Sequence, residues 1–114
     1  MTDTNFKELI KRCRSYRRFY EEHKIDEETL KELIGYARLS ASAGNLQPLK
    51  YILSFAPPKN NIVFPTLSWA GYLKDWVGPK EGERPAAYII ILGDRAISKW
   101  LEYDCGICAH AIIL

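Results

Sequence analysis

Long apolar runs are missing from this chain. The longest uninterrupted one, Ala86–Leu92 (AAYIIIL), falls far short of the roughly 20 residues that a membrane-spanning helix requires. The amino terminus, MTDTNFKELIK, has no apolar signal core. Both absences point to a soluble, cytoplasmic protein. Cysteine is scarce and odd in number, at three, which argues against a disulfide framework and predicts reduced thiols. A charge excess of one sign is also lacking. Sixteen basic residues face fourteen acidic ones, for a net charge of +2, too little to imply a nucleic-acid or membrane partner. The sequence contains no G-x-G-x-x-G, no P-loop and no nucleophile elbow, so nucleophilic catalysis has no candidate residue.

The chain does have the means to bury a core. With 47% hydrophobic and 26% charged residues over a length of 114, it reads as a single globular domain, 1–114, able to remove about two-thirds of its unfolded surface from water. Asn5–Cys13 places Phe6, Leu9, Ile10 and Cys13 at helical spacing, with Asp3 or Thr4 as a cap. A second helix is expected after Asp26, with Glu27 and Glu28 at its positive end, an Ile25 and Leu30 staple, and the stripe Leu30, Leu33, Ile34, Ala37. It should end between Leu39 and Ser42.

Lys50–Phe55 reads as a strand closed by PPKN. Ile62 to Gly78, with Phe64, Trp69, Tyr72 and Trp76, reads as a helix or helical turn broken near Pro65, followed by the exposed loop GPKEGERP. AAYIIILGD suggests a strand covered on both faces, and ISKWLEYDCGICAHAIIL suggests a final buried helix opened by Asp104. The predicted order is helix, helix, strand, helix, strand, helix. The apolar end at Leu114, without a capping residue, gives the impression of an incomplete fold.

Three constellations carry chemistry. In RCRSYRRF, four arginines and Ser15 lie within eight residues. Guanidinium forks match phosphate oxygens, although such a run also serves as a solvated face or, with Tyr16 and Phe19 interleaved, as a nucleic-acid patch. In SASAGNLQP, Ser42, Asn45 and Gln47 present uncharged donors and acceptors among small residues, which suits close approach of a flat heterocycle. The alternative is a plain helix end and polar loop. In DCGIC, Cys105 and Cys108 form a C-x-x-C pair without a second pair. Buried structural thiols are the expectation there, with His110 a hydrogen-bonded core residue. Trp69, Tyr72 and Trp76 fit either a core or the cover of a planar ligand.

RSYRRF before a capped helix, SAGNLQP after it, then ERPAAYIIILGD and DCGICAHAIIL, together resemble the nitroreductase family of flavin-dependent oxidoreductases over nearly the whole chain. The resemblance implies an α+β fold, a mixed sheet flanked by helices and incomplete at the C-terminal end. It also implies a homodimer with FMN at the interface, and ping-pong hydride transfer from NADH or NADPH through the flavin to a small electron-poor acceptor. By position, Arg14, Ser15 and Arg17 would hold the FMN phosphate and ribityl chain. Ser42, Asn45 and Gln47 would reach the flavin, in this family often from the opposite subunit. No catalytic acid or base and no metal is implied, since the flavin carries the redox chemistry. Three positions depart from the family pattern: Cys13 stands where a basic residue is common, Leu49 stands where tryptophan is frequent, and the chain stops where the family continues. Two rival readings are a non-catalytic truncated relative with weak or no flavin binding, and a small basic nucleic-acid module.

Overall fold

The structure, a computed structural model, describes residues 5–114. The elements are α1 (Phe6–Arg12), α2 (Glu27–Arg38), β1 (Leu49–Ser54), α3 (Pro57–Val63), β2 (Tyr88–Gly93) and α4 (Leu101–Ile113), with 3-10 turns at Ala43–Asn45 and Phe64–Thr66. Strands β1 and β2 pair as a two-stranded sheet. The fold is α+β as expected, but the third helix lies at Pro57–Val63 and not within Ile62–Gly78. The chain divides into two compact units: the first takes the described residues up to Ser15, Glu32–Lys50 and Ile91–Leu114, and the second Tyr16–Lys31 and Tyr51–Ile90.

In the first unit, Asn5 caps α1 by accepting the Lys7 N–H at 2.9 Å. The caps expected from the sequence, Asp3 and Thr4, lie outside the described residues. The apolar stripe of α1 is not a buried face, since Phe6 and Ile10 are exposed. Helix α4 begins three residues before Asp104, which therefore sits inside the helix rather than opening it. Cys108 is buried and donates its S–H to the Ala37 carbonyl of α2 at 3.5 Å, so one thiol of the C-x-x-C pair is a core residue. His110, expected in the core, is exposed, because the buried positions of α4, Asp104 and Cys108, lie one turn apart on one face and His110, two residues on, is turned away from it. Asp94 N–H donates to the Pro48 carbonyl at 3.0 Å, and Gly93 leaves room for Leu101, which an added Cβ would meet at 2.9 Å.

In the second unit, the Asp26 carboxylate caps α2 through the Thr29 N–H at 2.8 Å, and Leu30 is buried. The proline pair after β1 does more than stop a strand. Pro57 opens α3, where its missing N–H costs nothing and its fixed φ suits the first helical turn. The expected helix through Trp69 and Trp76 is absent. Those residues lie in irregular chain, and Trp69 packs on Phe19, Phe64 and Trp76 with ring centroids 6.4, 6.1 and 6.3 Å away. Trp69 and Trp76 are half-buried in this cluster, whereas Tyr72 stays out of it and is exposed. Asn60 of α3 accepts the Ser54 hydroxyl and donates to the Ala86 carbonyl at 2.9 Å, which ties the helix to both flanking segments. The residues of β2 are half-buried to exposed instead of covered on both faces, since the sheet has two strands only.

Candidate functional site

Helix α2 runs out where its side chains become small. Ser40 donates its hydroxyl to the Tyr36 carbonyl at 3.1 Å and its N–H to Ala37 at 3.0 Å, closing the last turn. From Ser42 the backbone is extended, and it then enters the left-handed region at Gly44 (φ 60°), Asn45 (φ 52°) and Gln47 (φ 49°). Glycine takes this conformation freely and asparagine tolerates it, while Gln47 is held there against steric preference. Gln47 is doubly constrained because it precedes Pro48, and a residue before proline is ordinarily pushed to extended backbone. Its N–H donates to the Ser42 hydroxyl oxygen at 3.0 Å, and its side-chain Nε2 donates to Asn45 Oδ1 at 3.0 Å. Pro48 is buried behind them.

The anchor of this turn comes from α4. Asp104 is 1% exposed; its carboxylate accepts the Ala43 N–H at 3.0 Å and the Ser42 hydroxyl. Those bonds, the backbone one first and the Ser42 hydroxyl second, hold the carboxyl below its ordinary value against the opposing effect of burial. Asp104 is therefore an anion at neutral pH, placed in the first turn of α4 where the helix dipole favours negative charge. Asp104, Ser42 and the Gln47 N–H form one relay.

The relay fixes what the turn presents. Asn45 and Gln47 are exposed, and their mutual bond engages Asn45 Oδ1 and one Gln47 Nε2 hydrogen. Asn45 Nδ2 as a donor and Gln47 Oε1 as an acceptor take no part in that bond and can serve an outside partner. A flat ring bearing both carbonyl and N–H edges matches that pair, and Gly44, with no side chain, lets it come close. The sequence marks Ser42, Asn45 and Gln47, and the structure brings all three together. Sequence reasoning missed Asp104 as their anchor. Its signal was a carboxylate directly ahead of an apolar run, which reads equally well as a helix cap.

The basic segment is neither helix nor strand from Cys13 to Tyr20. Cys13 closes α1 with its N–H on Leu9 and Ile10. Arg14 and Ser15 are exposed in the first unit. Arg17 belongs to the second unit and places its guanidinium 5.3 Å from the Tyr72 ring centroid, a cation–π contact. Arg18 approaches Glu83 at 4.0 Å, and the Phe19 N–H donates to the Glu83 carbonyl at 2.9 Å. Among the described residues no group of three or more His, Cys, Asp or Glu side chains is placed to hold a metal ion.

Comparison with known proteins finds the same pattern. The family model for the nitroreductase family matches residues 10–114. Among solved structures, the chain is similar to a protein assigned as an NADH oxidase from Clostridium acetobutylicum. The identity is 24% and the TM-score 0.68, over 92% of this chain and 59% of that one. A nitroreductase family protein from Clostridium difficile 630 is 22% identical with a TM-score of 0.69, over 96% and 60%. A protein assigned as a nitroreductase from Exiguobacterium sibiricum 255-15, solved in complex with FMN, is 23% identical with a TM-score of 0.61, over 100% and 50%. The chain thus spans between a half and three-fifths of the length of these structures. No curated protein matches it.

Proposed function

The chain belongs to the nitroreductase family, and on that premise we propose that it binds FMN and serves as an NAD(P)H-dependent oxidoreductase. The reaction is ping-pong hydride transfer from NADH or NADPH to a small electron-poor acceptor, in the cytoplasm, by a homodimer with FMN at its interface. The observation that carries this reading is the exposed amide pair of Asn45 and Gln47, held in left-handed backbone by the buried Asp104 relay. Strain of this kind concentrates where a binding surface is pre-shaped. A close relative in fold, the Exiguobacterium sibiricum protein, was solved in complex with FMN.

In this reading Asn45 and Gln47 bind the polar edge of the ring system, and Gly44 admits its face. Ser42 acts at the same wall, with its hydroxyl keeping Gln47 in register. Arg14 and Arg17 supply charged donors for a phosphate, and Ser15 adds a neutral one. When bound, FMN supplies the two-electron redox chemistry that side chains lack, so the protein's part is to bind, orient and exclude water. The absence of a sequence candidate for acid or base is in keeping with this division.

The test is to add FMN to the purified chain, remove unbound flavin by gel filtration, and record the visible spectrum of the protein peak. Stoichiometric retained flavin at dimer size is the expected result, followed by turnover with NADH or NADPH. A colourless peak would withdraw the enzyme reading and leave a non-catalytic relative.

A further inference from the structure

The second unit holds a cavity of about 180 Å3, whose lining includes the apolar Phe55, Pro57 and Pro85 and the charged Arg84, Lys24 and Glu21. None of the residues assigned to the flavin lies in it.

Its charges are not balanced within the unit. Glu21 spends one carboxylate oxygen on two backbone N–H groups, those of Gly82 at 2.8 Å and Arg84 at 3.1 Å, and forms no ion pair among the described residues. Lys24 likewise has none. The Arg84 guanidinium carbon lies over the Phe64 ring, 4.2 Å from its centroid. This keeps it in place, yet its Nε–H is buried and has no hydrogen-bond acceptor. A buried, unpartnered donor on a cation is costly. An anion arriving in the cavity would set a counter-charge beside that guanidinium, and two cations against one already engaged carboxylate leave the wall positive.

The shape selects the kind of anion. A phosphate is usually held by several backbone N–H groups, and those of Gly82 and Arg84 are taken by Glu21. The apolar lining residues, by contrast, offer contact area to a hydrocarbon body. A cavity of about 150 Å3 already accepts benzene in an apolar core, so about 180 Å3 has room for a ring and a carboxylate. We propose that this cavity binds a small organic carboxylate, with the charged end on Arg84 and Lys24 and the apolar body against Phe55, Pro57 and Pro85.

The experiment is a titration of the full chain with benzoate, followed by 1H–15N NMR of the backbone and of the Arg84 Nε–H. Benzyl alcohol and inorganic phosphate serve as comparison ligands. Saturable benzoate shifts centred on Arg84, with a dissociation constant on the order of 1 mM, are expected, and binding of benzyl alcohol or phosphate should be at least about tenfold weaker. Arg84→Met keeps an unbranched stem over Phe64 and should abolish the saturable shifts. Lys24→Gln, an exposed substitution that leaves the fold intact, should weaken benzoate about threefold. Equal binding of benzyl alcohol, preference for phosphate, benzoate affinity unchanged in Lys24→Gln, or no saturation at all would each overturn the proposal.

Discussion

Asp104 shows how one side chain controls a surface it does not join. Its carboxylate accepts from Ala43 and Ser42, and Ser42 in turn accepts from Gln47. Removing it in Asp104→Ala takes the acceptor from a partly buried N–H and hydroxyl. Amide exchange at Ala43 and Gln47 should then accelerate and the melting temperature should fall. The charge has a pH signature. A carboxyl held below its unfolded value adds stability above that value, and the contribution is lost as pH falls through the folded one. The gap in stability between the wild-type chain and Asp104→Asn should therefore be open above about pH 4 and close under stronger acid. Denaturant melts across that range check it, and a gap that stayed constant would remove the charge from the explanation. For the arginines, Arg17→Ala should weaken FMN binding by about 1.5–3 kcal/mol, the size of a hydrogen bond to a charged group, as read by fluorescence titration. An unchanged dissociation constant would reject that role.

At the level of elements, the legible parts were those with local signals. Helix α2 could be read because Asp26, Glu27 and Glu28 mark its start and Leu30 and Ala37 its buried face. The two strands could be read from apolar and β-branched runs. Helix α3 was not legible: Pro57 and Pro58 mark the end of a strand as readily as the first turn of a helix, and only the tertiary bonds of Asn60 settle it. The aromatic spacing of Trp69, Tyr72 and Trp76 imitates helix periodicity, while only Trp69 and Trp76 join a cluster in irregular chain and Tyr72 is exposed. That cluster depends on Gly78, whose φ of +117° and approach to Trp69 leave no room for a side chain, since a Cβ there would lie 2.8 Å from the indole. Gly78→Ala should cost about 1–3 kcal/mol from backbone strain, measurable by urea denaturation. Within the polar turn, Ser42, Asn45 and Gln47 could be picked out by residue type, but their common anchor, 57 or more positions away in sequence, could not. Helix caps and turns are local chemistry, whereas the Asp104 contact is made only when α4 packs.

For the molecule as a whole, ligand linkage offers a test that needs no turnover. If FMN binds the folded chain alone, a concentration of 100 times the dissociation constant should stabilise it by about 2.7 kcal/mol, a rise of about 10 °C in melting temperature for a chain of this size. Circular dichroism at a peptide wavelength reads it without interference from turnover. Sedimentation should then report twice the 13.1 kDa chain mass. Among the described residues, no helix is long and apolar enough to cross a membrane, yet Tyr20, Leu39, Ile62 and Val77 are strongly exposed. The three thiols add a clock to this molecule. Cys13 and Cys105 are half-buried, while Cys108 is shut in by its bond to the Ala37 carbonyl. An alkylating reagent should therefore modify two sulfurs promptly and the third only when α4 parts from α2, so the rate of the last mass increment counts the openings of the first unit.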